Sequence, residues 1–130
     1  MSRPQFVDHL VFRVTDVERT EKFYSVFLGP PIERVSGSIA YEVGETKIFF
    51  TACTATHLHR PDKEQVGLNH LAFGVRKIEE LRRIEAKLNR AKLRNSGIQI
   101  DRYGRKEFIW FEDPDGTRLE FYLRERGDVP

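Results

Sequence analysis

One motif occurs twice in this chain. Val7-Asp8-His9-Leu10-Val11-Phe12-Arg13-Val14 and Leu68-Asn69-His70-Leu71-Ala72-Phe73-Gly74-Val75 share the pattern Asp/Asn-His-Leu-Val/Ala-Phe-x-Val, with the histidines 61 positions apart (70 minus 9). Each copy reads as a strand, the second as a buried one from Gly67. Side chains alternate across a strand. Leu10, Phe12 and Val14 therefore share one face, as do Leu71, Phe73 and Val75. His9 and His70 fall on the opposite faces, away from the large apolar side that packs on a helix. Alone, each histidine reads as a hydrogen-bonded, half-buried strand residue; two in one repeat position argue for a shared role. A repeat of this length confines the chain to two like units.

The intervening sequence supports that division. After the first strand, Phe6 to Val14, Thr15-Asp16-Val17-Glu18 carries a capping-box signature. Val17, Thr20, Phe23, Tyr24, Phe27 and Leu28 follow at helical spacing, until Gly29-Pro30-Pro31. Three short strands are expected at Ile32 to Val35, Ile39 to Val43 and Thr46 to Cys53. The second unit repeats this β-α-β-β-β order: its strand, a helix from about Lys77 to Arg94, then strands at Ile98 to Ile100, Lys106 to Phe111 and Thr117 to Leu123. The expected division is one domain over 1–130, with module one at 6–53, a polar linker at 54–65 and module two at 66–124. The linker holds His57 and His59, read as solvated.

The last strands also match. Thr46-Lys47-Ile48-Phe49-Phe50 aligns with Thr117-Arg118-Leu119-Glu120-Phe121 at an offset of 71 (117 minus 46). Leu119, Phe121 and Leu123 face the helix; Arg118, Glu120 and Tyr122 face away. A carboxylate inside Leu-Glu-Phe-Tyr-Leu needs a cation, because burying it unpaired is costly. That cation is either an arginine such as Arg13 or a metal shared with His9 and His70. Two imidazoles and one carboxylate are the donor set of catalytic sites that keep open coordination positions. If the two units pack pseudo-symmetrically, their equivalent positions converge, and the counterpart of Glu120 is the apolar Phe49.

Composition narrows the function classes. With 22 Lys and Arg against 20 Asp and Glu, net +2, nothing in the charge points to nucleic acid. No apolar run approaches the ~20 residues needed to cross a bilayer, and the start has no signal-peptide character. One cysteine, Cys53, excludes an internal disulfide and reads as a buried, inert thiol. A cytoplasmic protein is expected.

The chain resembles the vicinal oxygen chelate superfamily, which includes glyoxalase I, fosfomycin-resistance enzymes, extradiol dioxygenases and bleomycin-resistance proteins. The resemblance rests on the two histidine strands, on Phe23-Tyr24 and Leu28-Gly29, and on Phe111-Glu112-Asp113-Pro114-Asp115-Gly116-Thr117-Arg118-Leu119-Glu120-Phe121. It runs over about residues 6 to 123. In the Asp-Pro-Asp-Gly turn, Pro114 presets φ and Gly116 accepts positive φ, which sets the phase of the strand bearing Glu120.

The resemblance implies an α+β fold of two paired βαβββ modules forming a half-barrel cleft. It implies one divalent ion (Zn, Ni, Mn or Fe) held by His9, His70 and Glu120, and a homodimer in which the metal site can be shared between chains. It also implies a metal-dependent enzyme that chelates vicinal oxygens of a small substrate and stabilises an oxyanion, as a lyase, isomerase or thiol/epoxide transferase. Iron would imply extradiol-type ring cleavage instead, and a vestigial triad a non-catalytic binding module of the antibiotic-resistance kind. Glyoxalase I relatives carry a basic glutamate where this chain has Phe49, which sets it apart from that activity. Tyr41 falls where fosfomycin-resistance enzymes have a pocket tyrosine, and Arg102, Arg105 and Lys106 are candidate anion contacts. The expected pocket residues are Tyr41, Phe49, Trp110 and Tyr122, with Arg13 a partner of the ligands.

Overall fold

The computed structural model describes residues 2–54, 62 and 64–128. The expected linker at 54–65, with His57 and His59, therefore lies largely outside the described residues. The chain divides into two compact units, Met1–His59 and Arg60–Pro130.

The first unit runs β1 (His9–Val14), α1 (Val17–Leu28), β2 (Glu33–Val35), β3 (Ser38–Val43) and β4 (Thr46–Ala52). Its sheet has the order β1-β4-β3-β2. β1 and β4 are parallel and the other pairs antiparallel. The helix follows from apolar spacing. Thr20, Phe23, Tyr24 and Phe27 form its buried stripe, and each aromatic contributes roughly 2–3 kcal/mol by leaving water. Tyr24 packs on Phe50 of β4 with ring centroids 4.2 Å apart. The helix starts one residue later than the capping box implied. Asp16, not Thr15, is the cap and accepts from the Arg19 N–H at 3.1 Å, while Thr15 accepts from the Arg19 guanidinium. Gly29, at φ 76°, ends it.

The second unit repeats the order: β5 (Leu71–Val75), α2 (Ile78–Arg90), β6 (Gln99–Ile100), β7 (Glu107–Glu112) and β8 (Arg118–Leu123). Its sheet runs β5-β8-β7-β6, with β5 and β8 parallel. The registers agree position for position. Val11 pairs with Phe49 in the first sheet, and Ala72 with Glu120 in the second. The expected equivalence of Phe49 and Glu120 is thus a property of both sheets. The α+β class and the two βαβββ modules hold.

Three boundaries differ from the sequence expectation. α2 stops at Arg90, four residues before Arg94. Lys92 takes the left-handed conformation at φ 59°, and Leu93 N–H reaches Leu88 O while Lys92 N–H reaches Asn89 O, a Schellman ending without its usual glycine. β1 begins at His9, with Phe6 and Val7 more than half exposed. The second histidine strand is shorter and covered on one face only, since Leu68, Ala72 and Gly74 are exposed. Cys53 is half-buried past the end of β4, not enclosed.

The Asp-Pro-Asp-Gly turn is built as its sequence requires, with Gly116 at φ 93°. Its organiser is Asp113, 6% exposed, whose Oδ1 accepts from the N–H groups of Asp115 and Thr117 at 2.9 Å each. This side chain sets the entry into β8.

Candidate metal centre and its cavity

Both histidines are oriented by the residue before them. His9 Nδ1 lies 2.8 Å from Asp8 Oδ2, and His70 Nδ1 lies 2.7 Å from Asn69 Oδ1. These oxygens only accept, so Nδ1 carries a hydrogen in each ring and Nε2 is the nitrogen left to face a ligand. That is the second-sphere pattern of metal-binding histidines. The first position of the repeat motif, Asp or Asn, thereby acquires a role that the sequence reading left unassigned.

Glu120 is 7% exposed. Its Oε1 lies 3.6 Å from His70 Nε2, too long for a hydrogen bond. Two ligands each 2.0–2.2 Å from one ion at a tetrahedral angle stand about 3.4 Å apart, so the gap suits an ion bridging them. Oε2 is taken by Arg118, from both Nε and Nη2 at 3.1 Å. The cation beside Glu120 is therefore Arg118 and not Arg13. Arg118 and Glu120 are two residues apart on one strand and share a face, a signal that was present in the sequence. Arg13 lies in the first unit, where it donates to Ala52 O at 3.0 Å. Arg118 in turn rests on the Trp110 ring, 4.6 Å from its centroid. Trp110, opposite Glu120 in the β7–β8 register, acts as a shelf for this guanidinium.

In the first unit, Phe49 occupies the position equivalent to Glu120. Its ring meets that of His9 edge-on, centroids 5.9 Å apart. Tyr41 is not a pocket residue. The register pairs it with Ile48 on the helix side; it is fully buried, its hydroxyl 2.8 Å from Ser25 Oγ, and burial raises its pKa. Among the described residues, no three His, Cys, Asp or Glu side chains form a ready cluster. His70 and Glu120 are the two donors that meet within one unit, and His9 belongs to the other.

A cavity of about 670 Å³ lies on this face of the second sheet, with His70, Glu120, Arg118, Tyr122, Arg76 and Arg124 in its lining. Tyr122, an expected pocket residue, donates to Asp101 Oδ2 at 2.7 Å. That bond, with the Gly104 and Tyr103 N–H groups, holds Asp101 below the usual carboxylate pKa; burial and then Asp101 push Tyr122 up. Gly104 is needed there, since a Cβ would lie 2.1 Å from the Tyr122 hydroxyl. Of the expected anion contacts in this loop, Lys106 is neutralised by Glu125 and Asp128, and Arg102 lies over Tyr103. The cations that reach the cavity are Arg76, Arg118 and Arg124. No helix among the described residues is long and apolar enough to cross a membrane.

Twin βαβββ units with a histidine opening one strand pair and a carboxylate inside another define a class, and the chain belongs to it: the Glyoxalase/Bleomycin resistance protein/Dioxygenase superfamily, whose sequence model matches residues 6–121. Among particular relatives, the Metallothiol transferase FosB of Lysinibacillus sphaericus (strain C3-41) is 30% identical, over 95% of this chain and 88% of that protein. YaeR of Escherichia coli (strain K12) is 28% identical over 89% and 94% of the two chains. A glyoxylase/bleomycin resistance protein/dioxygenase domain from Frankia sp. EAN1pec shares the fold, with a TM-score of 0.77 at 21% identity over 93% of this chain and 98% of that one.

Proposed function

We propose that the protein is a divalent-metal-dependent enzyme, with His9, His70 and Glu120 as ligands, that acts on a small substrate bearing adjacent oxygens. The observation that carries the reading is the pairing of a buried carboxylate oxygen with a tautomer-fixed imidazole at 3.6 Å, with the other carboxylate oxygen already satisfied by Arg118. The likeness to a metallothiol transferase favours group transfer, thiol addition among the expected reactions, over oxygen-dependent ring cleavage.

When bound, a divalent ion supplies Lewis acidity at the substrate oxygens. The chain's own residues prepare for it. Asp8 and Asn69 orient the imidazoles through Nδ1, which leaves Nε2 as the nitrogen that would face the ion. Arg118 holds Glu120 by Oε2, which would leave Oε1 to face the ion, and Arg118 itself rests on the Trp110 ring. Phe49 in place of a second carboxylate keeps the protein ligands at three, leaving positions for substrate.

The test is metal content after purification without chelator. About one ion per chain is expected, lost in Glu120→Ala and in His9→Ala. No ion in the wild-type protein, even after reconstitution with zinc, manganese, nickel or iron(II), overturns the reading and leaves a ligand-binding module.

A further inference from the structure

Several cations among the described residues meet carboxylates. Arg34 pairs with Glu21, Lys47 with Glu33, Lys106 with Glu125 and Arg118 with Glu120. Arg76 and Arg124 are different. Arg76 donates to the Arg124 main-chain oxygen at 3.1 Å, and the Arg124 guanidinium lies over the Tyr122 ring at 5.1 Å. Among the described residues neither meets a carboxylate, yet both line the cavity that holds His70 and Glu120. The cavity's two carboxylates are already engaged, Asp101 by Tyr122 and Glu120 by Arg118, so the two guanidiniums leave the wall with an excess of positive charge, and their forked N–H groups match the oxygens of a carboxylate or phosphate.

Their position sets a length. Arg124 N–H bonds to Val75 O, which continues the β5–β8 ladder beyond Leu123. Glu120, Tyr122 and Arg124 therefore step along one face, and Arg124 lies about 13 Å along the strand from Glu120. Between them are the rings of Tyr122 and Phe108, 6.1 Å apart and both in the cavity wall. Tyr122 is held in place by Asp101, whose turn closes tightly enough to require Gly104.

We propose that Arg76 and Arg124 form a subsite for an anionic group of the substrate. The ligand they define has an oxygen-chelating head at His70 and Glu120, a flat or apolar middle over Tyr122 and Phe108, and a carboxylate or phosphate at the far end. This inference rests on the metal reading of the site, and its test separates the two.

Equilibrium binding of benzoate, phenyl phosphate and neutral benzamide is measured on the full chain, stripped of metal and again saturated with manganese. Both anions are expected to bind the stripped protein at least about tenfold more tightly than benzamide. Arg76→Gln and Arg124→Gln are each expected to weaken them about tenfold. Arg124→Lys recovers part of the loss, and Arg82→Gln, on the exposed side of α2, leaves binding unchanged. The ratio of phenyl phosphate to benzoate affinity identifies the preferred anion. Anion affinity equal to that of benzamide, or unchanged in the Arg76→Gln/Arg124→Gln double variant, overturns the subsite. Binding seen only with manganese and lost in Glu120→Ala also overturns it while leaving the metal reading intact. Arginine-dependent binding in a protein that takes up no metal keeps the subsite and overturns the metal reading alone.

Discussion

Replacing Arg118 with methionine keeps an unbranched side chain on Trp110 but removes the cation beside Glu120. With charge centres about 4 Å apart and an effective dielectric constant near 20, the attraction is about 4 kcal/mol. Part of it is lost to water, because the Arg118 side chain is 24% exposed and that of Glu120 9%. The cost of stranding Glu120 is then about 2 kcal/mol, below the 3–5 kcal/mol typical of fully enclosed pairs. Losing the guanidinium contact with Trp110 adds about 0.5–1 kcal/mol. The expected destabilisation of the metal-free protein is about 3 kcal/mol, a fall in Tm of about 10 °C, read by calorimetry and by urea unfolding with an unchanged m-value. On the proposed reading a metal ion would give Glu120 a second cation, so the loss should fall by about half when both proteins are metal-saturated. A metal-free variant within about 0.5 kcal/mol of wild type would refute the premise that Glu120 depends on Arg118. Equal losses with and without metal would refute the premise that the ion and the arginine neutralise the same carboxylate.

Asp113→Ala should destabilise by about 3 kcal/mol in urea unfolding, since it removes a buried carboxylate that holds two N–H groups of the turn; Asp113→Asn should retain about half of that. Lys92→Gly should raise the unfolding free energy by about 0.5–1 kcal/mol, read as a higher urea midpoint, because a glycine occupies φ 59° without strain. Stability should also fall in acid. Arg34, through its hydrogen bond to Glu21, and Tyr122, through its bond to Asp101, hold those carboxyls below their usual pKa. Their contribution is complete above the unfolded values near 4 and is lost as pH falls through the lower folded values. Urea midpoints from pH 6 to pH 3 should show this slope, flattened in Glu21→Gln and Asp101→Asn.

The sequence carried the fold well because its two strongest signals, the histidine strand and the Thr-x-x-x-Phe strand, recur in both units with the same alternation. Burial then followed from parity: Leu119, Phe121 and Leu123 face the helix, and Glu120 does not. Tyr41 was placed in the pocket by resemblance, against what parity says. It shares its face with Ile39 and pairs with Ile48, so it belongs to the core. Ends were less legible. Nothing in Ala91-Lys92-Leu93 announces a left-handed lysine, so the helix was read four residues too long. In the site, the partner of Glu120 was sought 107 positions away (120 minus 13) when it stood two positions before it. Arg76 and Arg124 could not have been found from spacing. They stand 48 positions apart and meet only because β5 and β8 are neighbours.

The two units share backbone and register, so what differs between them at matched positions is chemical and not architectural. Each offers an imidazole whose Nδ1 is tied to the preceding side chain. One then places Phe49 against its ring, and the other places Glu120. A carboxylate at both positions would need two cations and would close a four-ligand shell. A phenyl ring at both would leave two imidazoles and no charge to hold an ion. The mixed choice supplies one negative charge and one arginine to steady it, and on the proposed reading it would keep the protein ligands at three. Because Arg118 and Trp110 lie on the Glu120 strand and its neighbour, the charged side of the proposed centre is assembled entirely within the second unit, together with the unmatched arginines. On the proposed reading, the first unit adds one imidazole ligand, and the unmatched arginines that would select the substrate belong to the second.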